Sequence, residues 1–298
     1  GIFAPLLAGA LLSIIGLAGI RVIDVVTFSF AIGALLFVFI PQPERSEAGR
    51  KAEANLWQES LYGFRHIIQR PSLLGLQLVF MGGNLFATLG ITLMAPMILA
   101  RTGNNELIFG SVNSAGAIGG VVGGLAMSAW GGPKRRVLGV LGGWLLFGLL
   151  GETLLGLGQS LPIWLVASFA GAFFGPIINA SNQAIWQAKV EPDVQGRVFG
   201  VRRMIAWAIS PLARLIAGPL ADQVFEPAMQ QGGGMANTFG WLVGTGDGAG
   251  MSLILVLCGL AVALCAVVGY AVRVVRDAED ILPDFDAIPE EAAAPAAT

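Results

Sequence analysis

The chain is poor in the side chains that do metal, thiol and acid–base chemistry. In 298 residues it has one histidine, His66, and two cysteines. No His-Glu-x-x-His and no cysteine pair at zinc spacing occurs, so the sequence offers no metal site. Cys258 and Cys265 lie seven residues apart in one apolar run, about two helical turns or ~10 Å, too far for a disulfide. A single histidine and no serine–histidine–aspartate set inside the apolar runs argue against a membrane hydrolase. No Gly-x-x-x-x-Gly-Lys-Ser/Thr loop is present, so ATP is not bound in that manner. No cofactor is expected, and the chain reads as a non-enzyme. Charge is scarce too, at 12% of residues against roughly 25% in soluble domains. A net charge of -2 offers nothing to attract nucleic acid.

Apolar residues fill the space that charge leaves. They make up 55% of the chain, and 42 residues are glycine, about twice the usual ~7% share. Apolar runs of about 20 residues cross a bilayer as helices. Eight such runs are predicted, at 1–18, 22–40, 72–98, 108–130, 137–158, 162–186, 203–224 and 250–272. The first two are joined by a very short turn at Gly19–Arg21.

The basic residues then sort by segment. Of 17 Lys and Arg residues, 14 fall in segments 41–71, 131–136, 187–203 and the stretch after the last span. The alternate loops hold only Arg21 and Arg101, and Arg214 lies inside a span. Positive charge marks cytoplasmic loops. The 41–71 loop and the C-terminus are therefore expected inside the cell membrane, and the 225–249 loop outside.

Within 41–71, Trp57, Leu61, Phe64 and Ile68 share one helical face, which predicts an amphipathic helix on the inner membrane surface. His66 belongs to this linker and is expected outside the membrane with no metal or relay role. The 225–249 loop is predicted to be partly ordered through Phe239, Trp241 and Leu242. The tail from 273 to 298 is acidic, then Ala/Pro-rich, and reads as a disordered cytoplasmic segment.

Glycines mark the expected packing surfaces. Gly116, Gly120 and Gly124 recur at four-residue spacing, and Gly119 and Gly123 repeat the pattern one step over. Such ridges let helix backbones approach closely. Pro96, Pro176, Pro211 and Pro219 fall in spans, where each removes a backbone donor and permits a bend.

Ionisable groups inside spans point to function. Arg214 lies about 11 residues into its span, ~16 Å deep by helix rise. It reads either as a cavity cation for an anionic group or as a partner of Glu152 or of carbonyls freed by Pro211. Glu152 reads either as a proton-carrying carboxylate or as an ion-paired or interfacial acid. Asp222 and Asp24 sit near span ends. Asn84, Asn179, Asn182 and Gln183 form an uncharged polar set, with Asn179 and Gln183 on one face at i, i+4. This set serves either interhelical hydrogen bonding or the lining of a cavity.

Three stretches resemble the major facilitator superfamily, in the branch of drug, macrolide and siderophore exporters. The opening Gly1-Ile-Phe-Ala-Pro5-Leu-Leu-Ala-Gly9 is similar to the Gly/Pro motif on the fifth helix of drug antiporters, with Ala4 and Ala8 where glycine is usual. Gly196-Arg197-Val-Phe-Gly200 and Gly218-Pro219-Leu-Ala-Asp222 resemble the tenth-to-eleventh helix region. Gly131-Gly-Pro-Lys-Arg-Arg136 is similar to the basic loop between helices eight and nine, but lacks the acidic residue of the fuller motif.

The resemblance implies an all-α, polytopic membrane protein whose eight spans are helices five to twelve of twelve. Residues 1–40 would end the N-terminal bundle, 41–71 would form the cytoplasmic linker and 72–272 the C-terminal six-helix bundle. About four further spans are expected before Gly1. The fifth span, carrying Glu152, would be peripheral. The implied function is proton-coupled export of an amphipathic small molecule by alternating access, by a monomer in the cell (inner) membrane. Its partners would be that substrate, protons and the lipid bilayer, with no nucleic acid. Arg214, Asn84, Asn179, Asn182, Gln183 and Glu152 are the substrate or coupling candidates. Pro5, Gly9, Gly116, Gly120, Gly124, Arg197, Pro219 and Asp222 are the packing or gating candidates. The competing reading is a membrane subunit that binds partners or senses without transporting.

Overall fold

A computed structural model describes residues 19, 22–30, 32–33 and 56–285. They divide into two units, with the boundary after Ser46. In the first, 22–30 are helical, and the Thr27 hydroxyl donates to the carbonyls of Ile23 and Asp24. Most of the first two expected spans lies outside the described residues. So do Pro5 and Gly9.

The second unit is all helix. Its elements are α1 (Leu56–Ile68), α2 (Pro71–Arg101), α3 (Glu106–Trp130), α4 (Arg136–Leu157), α5 (Leu161–Lys189), α6 (Gln195–Ala208) and α7 (Ser210–Leu220). There follow α8 (Ala236–Val243), α9 (Ala249–Ala271) and the short α10 (Arg273–Arg276) and α11 (Ala278–Ile281). Six helices among the described residues are long and apolar enough to cross a membrane: α2, α3, α4, α5, Gln195–Met229 and α9. They match the last six expected spans within a few residues at most ends. Gln195–Met229 is the exception, reaching eight residues earlier because α6 carries its helix into a basic stretch.

Local chemistry sets the ends. Asn105 caps α3 by accepting from the amides of Leu107 and Ile108, and Gly131 stops it in the left-handed region at φ 78°. Pro71 opens α2, where a missing N–H costs nothing. Glu226 caps α9, accepting from the amides of Gly248 and Met251 at 3.1 and 2.8 Å. The Arg101 guanidinium binds the Val243 and Gly248 carbonyls. The 225–249 loop is thus fastened to the bundle, with α8 inside it.

Helix pairs α3–α5, α4–α5, α4–α9, α9–α2 and α2–α7 build the bundle. The α3–α5 seam corrects one expectation. A Cβ at Gly119 or Gly123 would run into the Phe169 or Phe173 carbonyl, whereas Gly120 barely reaches α5 and Gly124 has open space. Gly116 meets only the Ser168 hydroxyl and its neighbourhood. The second ridge, not the first, carries the close approach.

Two further expectations change at the end of the bundle that carries the basic turns. Helix α1 forms as predicted, but Leu61 and Ile68 are exposed while Gly63, His66 and Ile67 are buried against α6. Of the expected apolar face, Leu61 and Ile68 point outward, while Phe64 packs against the buried cluster around Ile67. The stretch 273–285 is also ordered. Glu279 accepts from the Val137 amide at 2.9 Å and so caps α4. Arg135 pairs with Asp277 and Asp280, and the buried Lys189 ammonium meets Asp284 and the Glu279 and Leu282 carbonyls. The Arg276 guanidinium holds the partly buried Asp277 carboxyl below its ordinary range. Residues 286–298 lie outside the described residues.

His66 is 4% exposed. Burial first, then the charge of Arg70, pulls its pKa from 6.5 down to about 4. The unfolded imidazole binds a proton that the folded one refuses. Stability from this site is therefore full above about pH 6.5 and falls as pH drops towards 4. Thermal unfolding of the purified protein should show lower stability at about pH 5 than at pH 7.5, and H66Q should flatten that slope.

Candidate functional site

The half of the bundle nearer the basic turns contains a pocket of about 320 Å³. Phe80 enters it from α2, Asn179 and Gln183 from α5, and Phe199, Arg202, Arg203 and Trp207 from α6. The i, i+4 spacing of Asn179 and Gln183 brings both carboxamides to this wall. The Asn179 amide donates to the Gly175 carbonyl at 2.9 Å. On α6, positions 199, 203 and 207 recur at i, i+4, with Arg202 and Ala206 beside them on the pocket wall. Arg202 lies over the rings of Trp186 and Phe199, at 5.2 and 5.4 Å, an arrangement that holds a guanidinium by its π faces. Its Nη1 is buried and has no hydrogen-bond partner among the described residues. The pocket thus offers guanidinium donors, two carboxamides and three aromatic rings.

Arg202 and Arg203 are pocket-lining residues that sequence reasoning missed. They counted as loop charges that report orientation. The available signal was the four-residue repeat of Phe199, Arg203 and Trp207.

The other candidates scatter. Asn182 turns away from the pocket, is 1% exposed and accepts from the Trp186 indole at 3.1 Å. Asn84 lies one turn along α2 from Phe80, with its amide nitrogen buried and unpartnered among the described residues. Arg197 sits on α6, its carbonyl against Gly63. Pro219 lies inside α7, and the chain winds as a π-helix from Ala221 to Phe225 just after it, with Asp222 exposed there. Arg214 is exposed rather than interior in this unit. Helical spacing from Arg203 and Trp207 continues to Arg214, about 16 Å further along by helix rise.

Glu152 departs most from expectation. It is 4% exposed and sits in a π-helical segment, Phe147–Thr153. Neither carboxyl oxygen has a hydrogen-bond partner among the described residues, and Arg214 is not paired with it. The ion-pair reading fails because α4 turns this side chain inward, against Gly90 of α2, while Arg214 points out of α7. Glu152 borders a second cavity of about 320 Å³, walled by α2, α3, α4 and α5. Among the described residues, no group of three His, Cys, Asp or Glu side chains gathers to hold a metal.

The Major Facilitator Superfamily model matches residues 1–213. The chain belongs to this superfamily. Relatives share efflux names. Macrolide efflux protein A of Streptococcus pyogenes is 25% identical over 231 residues, covering 75% of this chain and 55% of its own. Multidrug efflux pump Tap of Mycolicibacterium fortuitum is 28% identical over 228 residues, covering 74% and 53%. The Mycobacterium bovis Tap is 40% identical over 63 residues, 21% of this chain and 15% of its own. The chain spans about half the length of the first two relatives. No solved structure matches it.

Proposed function

We propose that this protein exports an amphipathic small molecule of the macrolide or multidrug class, driven by protons and working by alternating access. The observation that carries the reading is the pocket of Phe80, Asn179, Gln183, Phe199, Arg202, Arg203 and Trp207. Rings offer a large apolar contact to the cargo, and the guanidinium and carboxamide groups match its hydrogen-bond acceptors. Asn84, Arg203 and Arg214 extend the same polar track along α2 and α6–α7. In this reading the basic turns face the cytoplasm of the cell membrane, so the pocket loads from inside. Gly119, Gly123 and Pro219 serve the movement between states, by close packing and by bending.

The test is accumulation of a radiolabelled macrolide, erythromycin, in cells lacking their own pumps. Cells making the full-length protein should hold several-fold less drug, and a protonophore should erase the difference. Equal drug levels with the protein present in the membrane would favour the non-transporting reading instead.

A further inference from the structure

Glu152 has a setting that the cargo pocket does not use. It projects from a π-helical turn, a local widening that recurs at functional positions in helices. The facing residue on α2 is Gly90, where a Cβ would strike the carboxyl group. Alanine, the commonest small residue of a helix, would therefore close the space that the carboxyl occupies. Leu255 of α9 packs beside the same point.

The cavity beside it is walled mainly by apolar groups such as Met94, with Asn113 and Ser168 as its polar members. The Ser168 hydroxyl is already committed, donating to the Val112 carbonyl at 2.8 Å. Among the described residues, Cys258 on α9 is the titratable group with an electrostatic interaction with Glu152. From α2, α3 and α5 no charged side chain faces it among the described residues. A carboxylate ion here has neither counter-ion nor donor, a costly state inside a membrane. The neutral acid fits the chamber as it stands, and an opened, watered chamber would fit the ion.

We propose that Glu152 is the proton-binding site of the transport cycle, loaded when its chamber opens to water and carrying the proton while the chamber is closed. The proposal rests on the proton-driven export reading above. The step is a simple transfer: an O–H bond of hydronium breaks, an O–H bond forms on a Glu152 oxygen, and water leaves. Release at the other side reverses it. The π turn and Gly90 supply the room for the carboxyl to swing between closed chamber and open cavity.

Two measurements on the full-length protein test this. In proteoliposomes, E152Q should keep erythromycin exchange, which moves no net proton, within about twofold of wild type. Uptake driven by an imposed pH gradient should fall at least about tenfold, and its pH profile should flatten. E152Q that still accumulates drug along the gradient overturns the proposal. Loss of exchange as well also overturns it, since the carboxyl then binds cargo or holds the fold. Should E152Q fail to accumulate, the wild-type protein decides. Dicyclohexylcarbodiimide, which adds to protonated carboxyls in apolar surroundings, should label Glu152 faster at about pH 6 than at pH 9, read by mass spectrometry. No labelling, or labelling indifferent to pH, overturns the proposal. A wild-type protein that neither exchanges nor accumulates the drug defeats the export reading alone, and the labelling still reports on the proton site.

Discussion

Alanine at Gly119 and Gly123 together is expected to remove most of the protein from the membrane. At each position the added methyl meets a backbone carbonyl of α5, Phe169 at one and Phe173 at the other. No rotamer change relieves a clash with backbone. The two helices must separate along the whole seam, and the other glycine ridge offers no substitute because Gly124 touches nothing. Overpacking of this kind costs about 1–3 kcal/mol per site, and more where the neighbour cannot move. Two such insertions consume much of the ~5–15 kcal/mol that separates folded from unfolded in typical domains. Gly142, which also has open space around it, is the control. Size-exclusion profiles of a fluorescent fusion should show normal amounts for G142A and little monodisperse protein for the double variant. Normal profiles for both would mean that α3 and α5 do not meet along this ridge.

The second large effect concerns cargo. R203Q should weaken macrolide export by about ten- to a hundredfold, since a lost charge-assisted hydrogen bond is worth ~1.5–3 kcal/mol and 1.4 kcal/mol is a factor of ten. Arg203 is exposed on the pocket wall, so its replacement leaves the fold alone. Arg202 is a poorer probe because its guanidinium is packed over Trp186 and Phe199. R203K keeps the charge but loses the planar fork, and intermediate export is expected. The check is drug accumulation at matched membrane levels, with KM read from initial rates. An unchanged KM in R203Q would exclude the pocket as the cargo site.

The six spans of the second unit were legible because length and apolar content alone define a bilayer crossing. Contacts between spans were not. Gly116/Gly120/Gly124 and Gly119/Gly123 have the same spacing, and only the position of α5 decides which ridge it meets. The inner face of α1 hid behind the apolar pattern that includes the exposed Leu61 and Ile68, so the burial of His66 was not foreseen. Asn179 and Gln183 were found through their i, i+4 spacing, while Asn182, adjacent in sequence, went to a tryptophan instead. For Glu152, the π turn that rotates it inward leaves no mark in composition. The acidic stretch 277–284 read as solvated tail because its basic partners, Arg135 and Lys189, lie about 90 or more residues upstream.

That last joint bears on how the protein is made. A membrane helix is ordinarily finished by residues near it in the chain, so its ends can settle as it leaves the ribosome. Here α4 receives its capping carboxylate from Glu279, 142 residues later than the Val137 amide it accepts from. Lys189, too, waits for the Leu282 and Glu279 carbonyls and for Asp284. Two early-synthesised helix ends therefore stay open until the stretch after α9 has been translated. The stretch completes this unit: a chain cleaved just after α9 would keep the six spans of the described residues and still expose the Lys189 amine and the uncapped start of α4.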